Sequence, residues 1–110
     1  MIEDTLARLE ARLEGITALG EDKKQELQKL FAQLKDDIAD LSDTQTDQAE
    51  SITRFTELST HEATRTEKDS TLQELSIEGL KTSVEGFEAS HPRLSQTVNA
   101  ICNTLSSLGI

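Results

Sequence analysis

In four stretches of this chain the apolar side chains fall alternately three and four residues apart, and that spacing leaves little choice of backbone. Each residue advances about 100° around an α-helix, so positions repeating in this way collect on one side, whereas a half-buried strand needs alternation by two. The first seam is Ile2, Leu6, Leu9, Leu13 and Ile16. The second is Leu27, Phe31, Leu34, Ile38 and Leu41, with Leu30 alongside, and its register carries on through Gln45 and Gln48 to Ile52 and Phe55. Further seams are Ile77, Leu80, Val84 and Phe87, then Leu94, Val98, Ile101, Leu105 and Leu108. The spacing predicts an all-α fold: an elongated antiparallel helical bundle of coiled-coil character, with four to five helices in a single domain spanning 1–110.

The stretch from Leu72 to Ser90 constrains the packing most. Beside its apolar seam, one position back, run Ser76, Gly79, Ser83, Gly86 and Ser90. Two adjoining stripes free of charge give this helix more contact surface than one partner helix covers. A glycine within a helix costs about 1 kcal/mol against alanine, a cost that close approach of a neighbouring element explains. That neighbour is either another helix of the same chain or a partner molecule, and both readings stand at this point. The interface candidates are Ser76, Gly79, Ser83 and Gly86 on this helix. Leu94, Val98, Ile101, Leu105 and Leu108 join them from the last helix, where no charged residue follows Arg93 and Gln96, Asn99, Asn103, Ser106 and Ser107 make the outer face.

Punctuation sets the helix limits. The first helix covers about 2–18, with Gly20 expected as a left-handed C-terminal cap. A second covers about 22–64. It is read as continuous because the register persists and because Asp36, Asp37 and Asp40 suit a helix C-terminus poorly; any break falls in the polar run at 42–46. A short connection makes the first two helices antiparallel neighbours. Asp69 or Ser70 caps the next helix, 70–89, which stops ahead of Pro92. Pro92 then opens the last, 92–107.

Composition removes several functions. Asp and Glu number 21 against 11 Lys and Arg, for a net charge of −10, whereas a phosphate backbone is held by clustered cations. Nucleic acid is therefore not an expected partner, and anionic membranes are disfavoured likewise. No apolar run approaches the roughly 20 residues of a membrane span, and the acidic start lacks a signal-peptide core, so a cytoplasmic setting is expected. The chain has one cysteine, and three Phe with no Trp or Tyr. A core built from so few aromatics is thin for a small domain, which directs attention to homo-oligomerisation or a protein partner.

The sequence Phe87-Glu88-Ala89-Ser90-His91-Pro92, followed by Leu94, Asn99 and the close Leu105-Ser106-Ser107-Leu108-Gly109-Ile110, resembles a family of small uncharacterised bacterial helical proteins, a domain-of-unknown-function family. The resemblance is strong over about the last quarter of the chain. It implies an all-helical fold and a bacterial, cytoplasmic setting, and it supplies no activity, cofactor or partner.

The motifs that carry chemistry are sparse. Glu88 and His91 form a single E-x-x-H, whereas carboxylate-bridged di-metal bundles need two, with two further glutamates. His91 is expected to help cap the turn before Pro92. His61-Glu62-Ala63-Thr64-Arg65 falls short of H-E-x-x-H because Arg65 does not ligate zinc, and it is read as a solvated helix face. Cys102 lies among Asn99, Ile101, Asn103 and Ser106, without the base or electropositive setting of a reactive thiol, and is read as packing. No Gly-rich phosphate loop, nucleophile elbow or calcium loop occurs. The expectation is a non-enzymatic, cofactor-free helical protein that self-associates or binds a protein partner. The alternative is a carboxylate–histidine metal protein using Glu88 and His91.

Overall fold

Each apolar seam becomes the buried side of a helix. The computed structural model describes residues 2–14 and 20–108, and the elements in chain order are α1 (Ile2–Glu14), α2 (Glu21–Ser42), α3 (Thr46–Thr64), α4 (Ser70–Ser83) and α5 (Pro92–Ser106). Ile16 and the end of the first predicted helix lie outside the described residues. Leu6, Leu9 and Leu13 of α1 and Leu27, Phe31, Leu34, Ile38 and Leu41 of α2 are buried, as the spacing predicts. They share one core with Ile52, Ile77, Leu80, Leu94, Val98, Ile101 and Leu105.

Side-chain pairs between the helices give their directions. Lys35 Nζ meets Glu10 Oε1 at 3.2 Å, while Thr5 and Arg8 share a cleft with Ala39 and Ser42, so α1 and α2 are antiparallel. Thr97 Oγ1 donates to Asp37 at 3.1 Å and Thr104 Oγ1 to Glu26 at 3.2 Å, setting α5 antiparallel to α2. Gln73 Nε2 donates to the Leu105 carbonyl at 3.1 Å, and the Cys102 thiol lies 3.9 Å from the Ile77 carbonyl, so α4 runs against α5. The α5 helix lies between α2 and α4 and also touches α3, while α3 contacts α1, α2 and α4.

This is a compact bundle, which corrects the expected elongated shape. A continuous helix over 22–64 would be about 65 Å long at 1.5 Å per residue, yet the molecule measures 37 × 25 × 21 Å. Its radius of gyration, 13.0 Å, is that of a globular domain of this length, about 13 Å. The chain turns at Asp43–Gln45, inside the polar run. Thr44 N and Gln45 N donate to the Leu41 carbonyl, and Thr46 Oγ1 donates to the Ser42 carbonyl at 2.8 Å. Short polar side chains offer the backbone these alternatives to the helical ladder. The turn carries Ala49 and Ile52 back onto the core. Of the acids near the end of α2, Asp37 is accommodated from α5, accepting from Thr97 and pairing with Arg93 at 3.4 Å, while Asp36 and Asp40 are exposed. Both donors sit in the first turns of α5, where the helix dipole favours an anion.

Two glycine expectations are corrected. Gly20 has φ −64° and ψ 150° and precedes α2 as its N-terminal flank, so it is no left-handed cap. Gly86 is the left-handed residue, with φ +93°. The helix predicted over 70–89 stops at Ser83, and residues 84–91 form consecutive turns joined by Phe87 N to Val84 O at 3.1 Å and His91 N to Phe87 O at 2.7 Å. Val84 and Phe87 still reach the core from these turns, which is why their seam spacing survives the helix end. An L side chain at a left-handed φ costs about 1–3 kcal/mol. Gly86→Ala will therefore lower the melting temperature by roughly 5 °C, although a Cβ there meets nothing within 4 Å. An unchanged melting curve would contradict the left-handed turn.

Polar residues share the interior, and of their buried side-chain atoms Ser95 Oγ is left without a partner. On α3, Thr53, Thr56, Ser59 and Thr60 are buried, and each hydroxyl donates to a carbonyl one turn back, at 2.7–3.2 Å. A hydroxyl satisfied by its own helix leaves threonine's methyl to pack as an apolar group. Glu62, expected on a solvated face, is instead buried and pairs with Arg65 at 2.9 Å. The neighbouring His61 is exposed as expected. Around the end of α5, Gln73 and Lys68 donate to the carbonyls of Leu105 and Leu108, satisfying groups that a helix C-terminus leaves open.

Candidate interaction surface

Among the described residues, four large apolar side chains stay outside, all on α3 and α4. Phe55 is 36% exposed, Leu58 45%, Leu72 44% and Leu75 63%. Two come from α3 and two from α4, and these helices are antiparallel neighbours. On α3 the buried line runs through Ile52, Thr56, Ser59 and Ala63. Phe55 precedes Thr56 by one residue and so points about 100° around the helix from it, toward α4. Its ring lies across Gly79, where an added Cβ would stand 2.4 Å from Phe55 Cε1 and 2.7 Å from Cδ1. The glycine thus explains itself: another element of the same chain, here an aromatic ring, occupies the space.

Beside this contact is a shallow cleft of about 520 Å³, lined by Phe55, Leu75, Gly79, Ser51, Thr82 and Ser83 together with the acids Asp47 and Glu78. The Phe55–Gly79 contact is testable by a double-mutant cycle. In the native background Gly79→Ala displaces the Phe55 ring, which offsets the helix-propensity gain of about 1 kcal/mol. With Phe55→Ala already in place, Gly79→Ala is expected to stabilise by about 1 kcal/mol in urea melts. Equal effects in both backgrounds would show that the two positions are not coupled.

The structure distributes the predicted interface residues differently. Ser76 is buried and donates to the Gln73 carbonyl at 3.0 Å, while half-buried Ser83 donates to the Leu80 carbonyl at 2.6 Å. Gly86 lies beyond the helix, exposed, and is no part of the stripe. Leu94, Val98, Ile101 and Leu105 are at most 2% exposed, and Leu108 packs against the same core. The last helix is buried as deeply as its lack of charge suggests, but its covering comes from the chain's own α2, α3 and α4. Sequence reasoning missed Leu58 and Leu75 as surface contacts. The available signal was the spacing Leu72, Leu75, Gly79, a third stripe beside the other two on α4.

The chemical motifs come apart in three dimensions. Glu88 turns back to accept from Gly86 N at 2.8 Å. His91 directs Nδ1 to Ser90 Oγ at 3.0 Å and packs edge-on against Phe87, with ring centroids 5.7 Å apart. It stands at the N-terminal flank of α5 and makes no side-chain capping bond there. Among the described residues no three His, Cys, Asp or Glu side chains converge as metal ligands. Burial pushes the Cys102 thiol up to about 11, so at pH 8 it is neutral and shielded. Iodoacetamide is expected to leave it unmodified in the native chain and to label it in urea; rapid native labelling would contradict its burial. A second cleft, between α1, α2 and α3, mixes Ile38 and Ala39 with hydroxyl and charged side chains, and its Arg54 is already paired with Glu50 at 3.1 Å.

Residues 57–110 match the family DUF4404, described as a domain of unknown function. The match starts within α3 and runs through α4 and α5, so it takes in Leu58, Leu72 and Leu75 and begins two residues after Phe55. It also covers the C-terminal residues on which the resemblance rests. Neither the curated proteins nor the solved structures give a match. No described helix is long and apolar enough to cross a membrane.

Proposed function

We propose that this chain is a non-enzymatic helical interaction module, and that its contact surface is the outer face of α3 and α4. The observation that carries this reading is the concentration of Phe55, Leu58, Leu72 and Leu75 on one pair of adjacent helices. Single exposed leucines are ordinary on a protein surface, whereas a contiguous apolar patch marks a contact site. Among the described residues the other apolar seams are occupied internally, which leaves this face as their supply of apolar contact area for a partner. Photo-crosslinking tests it: a benzophenone side chain placed at Leu75 should trap a protein in cells, and one at Asn99 on the polar face of α5 should not. Loss of the Leu75 adduct on Phe55→Ser is expected. Equal trapping at both positions, or none at Leu75, would contradict the assignment.

A further inference from the structure

We infer that the α3–α4 face receives a single amphipathic helix carrying apolar anchors and flanking lysines or arginines, from a different protein and not from a second copy of this chain; the inference rests on the interaction reading above. Two observations choose the occupant. The first is charge. The cleft's charged lining residues are Asp47 and Glu78, with no cation among them, and the whole chain carries −10. A second copy would bring the same acids to the same cleft, and like charges across an interface are unfavourable, whereas a basic segment is attracted and steered.

The second is area. The exposed parts of Phe55, Leu58, Leu72 and Leu75 amount to roughly 300 Å², in the range of a functional patch but well short of the roughly 800 Å² each partner gives to a stable globular interface. A helix laid in a groove between two helices needs less, because it is anchored by a few side chains at i, i+3, i+4 and i+7. Leu75 and Phe55 over Gly79 line the cleft as apolar anchors, Asp47 and Glu78 meet the cations there, and the exposed Leu58 and Leu72 lie outside that lining on the same two helices.

The test uses the full chain and a fluorescent peptide of about 18 residues, ~27 Å as a helix, with leucines at 3-4 spacing and lysine elsewhere; its comparator replaces lysine with glutamate. The lysine peptide is expected to bind saturably, and the glutamate peptide not to bind. Leu75→Ser with Phe55→Ser should weaken binding about tenfold or more. Asp47→Lys with Glu78→Lys should do the same, while Asp36→Lys with Asp40→Lys, the same charge change on the exposed side of α2, should shift it by less than about threefold. Binding insensitive to the apolar pair would show unspecific charge attraction and overturn the proposal. So would a free chain that is dimeric by light scattering and becomes monomeric on Leu75→Ser, since the occupant is then a second copy. If crosslinking at Leu75 traps a protein but the lysine peptide does not bind, the partner's chemistry is refuted and the face stands; if both fail, both readings fall.

Discussion

Ile101→Asp will leave the chain unfolded, whereas Asn99→Asp two residues earlier on α5 will leave its melting curve within about 1 °C of the parent. Ile101 is fully buried where α5 meets its neighbours, and Asn99 is exposed. The first change removes a core side chain, worth about 2–5 kcal/mol. It also places a carboxylate in the apolar core, at a further cost of several kcal/mol. A domain of this size has about 5–15 kcal/mol in total, so the sum reaches or exceeds the stability. Circular dichroism at 222 nm reads the outcome directly. A folded, cooperative Ile101→Asp variant would mean that α5 is not held inside the bundle.

Phe31→Ala has the next largest expected effect. Phe31 is the largest of the fully buried side chains, in the middle of α2, with Leu27 and Leu34 one turn away on either side. Of the three phenylalanines only this one is completely enclosed; Phe55 lies in the outer cleft and Phe87 on the turns after α4. Truncation to alanine leaves a cavity that rigid neighbouring helices fill only in part, and the cost is about 3–5 kcal/mol. Urea denaturation should show the midpoint falling with an unchanged slope. Phe55→Ala should cost far less, because its ring is already partly in water. Comparable losses at the two positions would contradict the assignment of inside and outside.

The helices and their buried sides were legible because 3-4 spacing is a direct consequence of helical geometry. Leu94, Val98, Ile101 and Leu105 were placed on one face from sequence alone, and that face is the buried one. What lay beyond reach was what covers each face. The absence of charge after Arg93 says that α5 is enclosed; whether by neighbours in the chain or by a partner depends on how the whole chain folds back, and that depends on the turn at Asp43–Gln45. Periodicity passes through that turn unbroken, since Gln45 and Gln48 keep register without having to be helical. Gly86 misled for a similar reason. Its spacing from Gly79 fits a stripe, but its φ of +93° serves a turn. The hydroxyls of α3 look like a solvated surface and are buried, because each bonds its own backbone. Leu58 and Leu75 became visible as a candidate site only when α3 and α4 were set side by side.

The account rests on α5 being enclosed by its own chain, which leaves the α3–α4 face as the unfilled apolar surface among the described residues. Amide hydrogen exchange at increasing protein concentration measures this directly. The expected result is that Val98 to Leu105 are among the slowest-exchanging amides and that their protection does not change with concentration. Protection of α5 that appears only as concentration rises would mean that another copy of the chain covers it.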